Sequence, residues 1–204
     1  MSHSLLSYAW REVAACAEVD PELWFPVRGP APAAVRICRT CPALASCLLD
    51  ALTEPDQAWG IRAGVDQDTR EPLRAAYAAW RTSVESDRAT LREAARTAPS
   101  ASDREALRAL ATATATEADA LATYVIALAL SAPAADLDAA RDAYRTAKVT
   151  RGWAEWDTDS CTTPAYATSA TTDRARLHLL TIAHETAQAT APDPAVPSSL
   201  AGAA

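Results

Sequence analysis

Four of the five cysteines fall in the chain's first quarter, as Cys16-x21-Cys38-x2-Cys41-x5-Cys47, while Cys161 stands alone in a Thr-rich segment. Sulfurs crowded in this way must meet at disulfides or at a metal. The opening stretch MSHSLLSYAWREV has no basic start followed by an apolar run, so no secretory signal is read and disulfides are disfavoured. A metal site is the better account. Cys38 and Cys41 are three apart and share one side of a helical turn, and Pro42 keeps the chain from folding back over their thiolates. Cys47 opens the apolar turn through Leu52, and Cys16 returns from a separate segment. Zinc commonly takes two Cys-x2–4-Cys knuckles or a Cys/His mixture; here there is one knuckle, and the only nearby histidine is His3. Uneven, helix-borne thiolates suit an iron–sulfur cube, whose corners lie farther apart than the ligands of one zinc ion. Spacing alone leaves iron–sulfur and zinc both open.

Composition sets the fold class. Alanine supplies 51 of 204 residues, about half of the apolar total. It favours helices and buries little surface, which predicts closely packed helices around a thin core. Five glycines and few β-branched runs argue against a sandwich or a doubly wound sheet. The expected class is all-α: a small four-Cys cluster-binding helical domain followed by an Ala-rich antiparallel helical region. The longest apolar stretch, Tyr124 to Leu130, is too short to span a bilayer, so a cytoplasmic chain without membrane contact is expected. The net charge of −7 excludes a protein that coats nucleic acid by bulk electrostatics.

Around the cysteines stand Asp20-Pro21-Glu22-Leu23-Trp24-Phe25-Pro26, then Trp59-Gly60-Ile61-Arg62-Ala63-Gly64-Val65, then Asp66 to Arg70. Together with the four-Cys spacing, this stretch closely resembles the WhiB-like family of actinobacteria and their phages, over roughly residues 8–82. Members carry a DPELFFP-like segment, the C…CxxCxxxxxC pattern and a G[VI]WGG turn followed by an acidic helix start ending in Arg. The resemblance implies a [4Fe–4S] cluster on Cys16, Cys38, Cys41 and Cys47. It also implies a non-enzymatic transcriptional regulator that binds region 4 of the principal sigma factor and whose cluster reacts with oxygen and nitric oxide. Trp24 and Phe25 carry over as partner-binding aromatics, and Trp10 less directly. The turn departs from the family: Arg62 replaces its tryptophan and Ala63 one of its glycines, while Trp59 lies three residues earlier. Trp59 and Arg62 therefore join the candidate partner-binding residues. No basic or AT-hook-like tail follows, so DNA contact is expected to be weak or indirect. A formal cluster charge of about −2 needs compensation, for which Arg36 and Arg39 beside Cys38 are candidates. Two other functions compete: a thiol–disulfide oxidoreductase using Cys38 and Cys41 in the apo form, which lacks a βαβ context, and a structural zinc-binding interaction module.

Beyond the turn, a helical extension is expected over 83–190 and a disordered tail over 191–204. From Glu71, Leu73, Tyr77, Trp80, Val84 and Leu91 recur at helical spacing, with Pro72 in the first turn. Ser102-Asp103-Arg104-Glu105 reads as a capping box for a helix carrying Leu107, Leu110, Leu121, Val125 and Leu128. A third segment follows Pro133 with Leu137, Ala140 and Tyr144 on one face. Gly152 to Trp156 reads as a linker, and Asp173 as the start of a last helix. Ala-rich faces allow close approach and a homodimer through this extension. His178 and His184, six apart, do not share a helical face, and Cys161 reads as a free thiol.

Overall fold

The computed structural model describes residues 5–26, 31–54, 59–158 and 170–191. The expectations for Cys161 and for the tail beyond Ala191 lie outside the described residues. Short 3-10 turns at Leu5–Val13 and Pro21–Trp24 lead into six helices: α1 (Pro32–Arg39), α2 (Leu44–Thr53), α3 (Gln67–Thr97), α4 (Ala101–Ala129), α5 (Ala134–Thr158) and α6 (Ala170–Thr190). Among the described residues there is no strand, only an isolated bridge between Arg62 and Val65. The fold is all-α, with the four cysteines of the expected quartet ahead of the long helices. Among the described residues no helix is long and apolar enough to cross a membrane.

α4 lies against α3, α5 and α6, and α3 also packs on α6. Three residues join α3 to α4 and four join α4 to α5, and links this short fold neighbouring helices back antiparallel. One core runs from Leu48 and Leu52 of α2 through Ala63 to Leu73, Tyr77, Trp80 and Val84 of α3. It continues through Leu121 and Val125 of α4, Tyr144 of α5 and Leu179 of α6. A second cluster joins Leu91 of α3 to Leu107 and Leu110 of α4 at the far end. The periodic residues expected on α3 are therefore its buried face. Trp80 is fully buried, with Tyr77 edge-on to it at 5.6 Å between ring centroids.

Three local expectations are corrected. The cap of α4 is Ser100, whose side chain accepts from the Asp103 N–H at 2.9 Å, so the helix starts ahead of Ser102. Residues Gly152–Trp156 are helical, because buried Ala147 and Thr158 and the half-buried Ala154 hold the inner side of α5 across them. Leu128 is only partly buried. His178 and His184 are exposed.

α3 opens at Gln67, four residues earlier than the pattern from Glu71, which moves Pro72 out of the first turn. Proline has no N–H to offer the carbonyl four residues back, and the cap at Asp66 offsets that loss. Its carboxylate accepts from the Thr69 N–H at 3.0 Å and from Thr69 Oγ1 at 2.7 Å. Asp66→Ala is expected to remove about 1 kcal/mol, lowering the melting temperature by about 2–4 °C. Burial pushes the Asp66 carboxyl up, but the hydrogen bonds from Thr69 outweigh it and hold the group below its ordinary 3.8. The stabilisation is thus present above pH 3.8 and lost as pH falls through the lower folded value. Melts of the two proteins should converge in that acid window.

Candidate metal centre

The four cysteines arrive from three directions. Cys16 follows the first 3-10 turn, Cys38 sits near the end of α1, Cys41 lies just beyond it and Cys47 is in the first turn of α2. α1 ends because Thr40 caps it, its N–H donating to Ile37 O and Cys38 O. The Cys41 N–H also returns to Cys38 O at 3.0 Å, and Leu44 N–H to Cys41 O at 3.3 Å, so Cys38, Cys41 and Cys47 lie along one bent helical path. All four cysteines line a single small cavity, together with Trp10, Ala14, Ile37, Leu44 and Ala63. None of the four is in a disulfide. Among the described residues no three His, Cys, Asp or Glu side chains close up around a single metal-ion position.

The cavity's roof is the turn that follows α2. Arg62 N–H donates to Val65 O at 3.0 Å and Val65 N–H returns to Arg62 O at 2.9 Å. At its tip Ala63 has φ 52° and Gly64 φ 76°. A Cβ at Gly64 would sit 3.4 Å from the Cβ of Cys38, so the turn packs against Cys38 at van der Waals distance. The Ala15 N–H donates to Cys41 Sγ at 3.4 Å, and the Gly64 and Ala63 amides pull on the Cys38 and Cys47 thiols respectively. Burial pushes the Cys38 thiol up to about 11 against the pull of the Gly64 N–H. Burial likewise raises Cys47, opposed by the Ala63 N–H and the charge of Arg62. A group that binds here as thiolates must displace those protons.

The turn also reaches the aromatic segment. Ile61 N–H donates to Trp24 O at 2.9 Å. Gly60, at φ 70°, packs so closely that a Cβ there would lie 2.6 Å from Trp24 O and 2.8 Å from the Phe25 ring. Asp20 accepts from the Glu22 N–H at 3.0 Å and starts the Pro21–Trp24 turn. Of the aromatic pair, Trp24 is half-buried and Phe25 is 50% exposed; Trp59 is 66% exposed and Arg62 half-buried. Trp59 thus faces solvent.

The cations differ from those expected. Arg36 and Arg39 are exposed, and Arg39 donates to Thr190 O at 3.4 Å. The cations within reach of Cys47 are Arg62 and Arg70, opposed by the carboxylate of Asp50. Arg70, the arginine that ends the family-like helix start, is 1% exposed; the resemblance marked its position but not its burial.

The family model of transcription factor WhiB matches residues 10–73. The chain is 38% identical over 74 residues to transcriptional regulator WhiB1 of Bifidobacterium longum, covering 33% of this chain and 79% of that protein. It is 37% identical over 71 residues to WhiB1 of Mycobacterium tuberculosis, covering 32% and 83%. With transcriptional regulator WhiB of Streptomyces coelicolor the identity is 37% over 68 residues, covering 33% and 77%. No solved structure matches the chain. A four-cysteine cavity roofed by a glycine-bearing turn thus coincides with the matched segment, and through it the chain belongs to the WhiB family of transcriptional regulators.

Proposed function

We propose that the chain is an iron–sulfur transcriptional regulator that acts inside the cell through region 4 of a sigma factor and responds to redox change or nitric oxide. The observation that carries this reading is the convergence of Cys16, Cys38, Cys41 and Cys47 on one cavity. The donor set is all sulfur, Cys41 accepts the Ala15 N–H, and the Gly64 and Ala63 amides pull on the Cys38 and Cys47 thiols. Arg62 and Arg70 bring positive charge to one side. Such a set suits a [4Fe–4S] cluster, whose thiolates need charge compensation and hydrogen bonds. Bound there, the cluster would supply a redox-active centre that oxidants and nitric oxide can dismantle. Residues 8–82 form the cluster-binding domain in this reading, and 83–190 form a helical extension that leans on it through the shared core.

Trp24, Phe25, Trp59 and Arg62 make up the proposed partner surface. Phe25 and Trp59 offer large apolar area to solvent, and both adjoin Gly60, whose neighbours link the aromatic segment to the cavity roof. With a net charge of −7, DNA contact by this chain is weak or indirect. Anaerobically purified full-length protein is expected to carry iron and sulfide and to retain sigma region 4 in a pull-down. Phe25→Ala should weaken that binding about tenfold or more, while Arg62→Trp, which restores the family's turn residue, should strengthen it. A loaded chain that fails to retain sigma region 4 overturns the partner assignment.

A further inference from the structure

We propose that Arg70 is a positioning residue of the cysteine centre: its guanidinium clamps the Gly60–Val65 turn and so holds the Ala63–Gly64 backbone over the cysteine cavity, where its amides serve the bound sulfurs as donors. The inference rests on the iron–sulfur reading above. Arg70 lies in the first turn of α3, where its own N–H donates to Asp66 O at 3.0 Å. Its side chain turns inward. Nη1 donates to Val65 O at 2.7 Å and Nη2 to Gly60 O at 3.1 Å. Those two carbonyls stand at opposite ends of the turn whose tip carries the Ala63 and Gly64 amides.

The backbone of that tip supplies the second observation. Ala63 has φ 52°, a left-handed conformation that a non-glycine residue avoids unless its surroundings impose it. A fork that grips both ends of the turn is such a surrounding, because a planar guanidinium fixes two acceptors at once. In this conformation Ala63 lines the cysteine cavity and Gly64 packs against Cys38. Hydrogen bonds to cluster sulfurs favour the more electron-rich state and raise its reduction potential. Arg70 therefore sets the potential of the centre without touching its ligands, and losing the clamp makes the centre harder to reduce.

The test uses full-length protein, loaded anaerobically and titrated with dithionite as the one-electron donor. Arg70→Lys keeps the charge but cannot hold both carbonyls. At a fixed potential its reduced-to-oxidised ratio is expected to fall at least about tenfold, which is a 59 mV shift for a one-electron couple. The deuterium sensitivity of its Fe–S stretching bands in resonance Raman should diminish with it. A loaded Arg70→Lys protein with the parent's potential and deuterium shifts overturns the proposal. Should Arg70→Lys take up no cluster, the double variant Arg70→Lys/Ala63→Gly carries the test, since glycine adopts the left-handed turn without a clamp. It is expected to load, with a potential below that of Ala63→Gly alone. Equal potentials, or no loading by the double variant, overturn the clamp. A parent chain without iron and sulfide overturns the iron–sulfur reading itself, and is scored before any variant is compared.

Discussion

Cys47→Ser is expected to abolish iron and sulfide uptake while leaving the long helices folded. The reason lies in how unevenly the core is distributed. Among the described residues before α3, the large buried side chains are Leu48, Leu52, Ile61 and Val65; the other buried positions there are alanines. Leu48 and Leu52 belong to the core shared with α3, α4 and α6, so α2 is held from outside. α1 and the Pro21–Trp24 turn pack on each other, on the cysteine cavity and on the Gly60–Gly64 turn, and their one buried side chain is Ala34. In such a segment ligand binding supplies folding free energy directly. Loss of one thiolate should therefore release protection from amide exchange in residues 10–43, while α3 to α6 stay protected. Serine barely changes the volume at Cys47, so a packing defect cannot imitate this pattern. Exchange that rises equally in α3 to α6, or iron that stays at the parent's level, would contradict it.

What could be read from the chain alone followed from how local each interaction is. The sulfur quartet and the stripe from Leu73 to Leu91 are short-range patterns, and the structure buries that stripe as the period requires. The capping box at Ser102 was a local pattern too, yet Ser100 extends the helix to Ala101 and satisfies an amide of the first turn. Gly152 suggests a break, but nothing lies within 4 Å of where its Cβ would be; the helix continues because residues on the opposite side anchor it. Tertiary contacts override propensity there. The roles of Arg62 and Arg70 were not legible, because a cation's meaning depends on which carbonyls and thiols the fold brings to it. Arg36 and Arg39 sit beside Cys38 in sequence but face solvent, since the sulfur occupies the inner side of α1.

Glu117→Ala is expected to cost about 3 kcal/mol, the lower end of what removing one partner from a buried ion pair costs, and to lower the melting temperature by about 6–12 °C. Glu117 is 7% exposed on α4, where helical periodicity alone would put alanine or leucine. Its two carboxylate oxygens face Arg151 of α5 at 2.5 Å and Arg176 of α6 at 3.5 Å. One acid thus holds the two helices that flank α4, at a level where alanines leave little apolar surface to do so. Arg151 keeps Glu155 at 2.9 Å and Arg176 keeps Asp173 at 2.9 Å after the substitution, which argues for the lower end. Both arginines nevertheless stay mostly buried with a central charge gone. The penalty comes from stranding those cations rather than from losing attraction as such. Exchanging all three, as Glu117→Leu/Arg151→Met/Arg176→Met, should consequently recover most of the loss. Thermal and urea unfolding of the full chain measures both. A single variant within about 0.5 kcal/mol of the parent, the range of ordinary surface changes, would show that the helices are held by alanine packing alone.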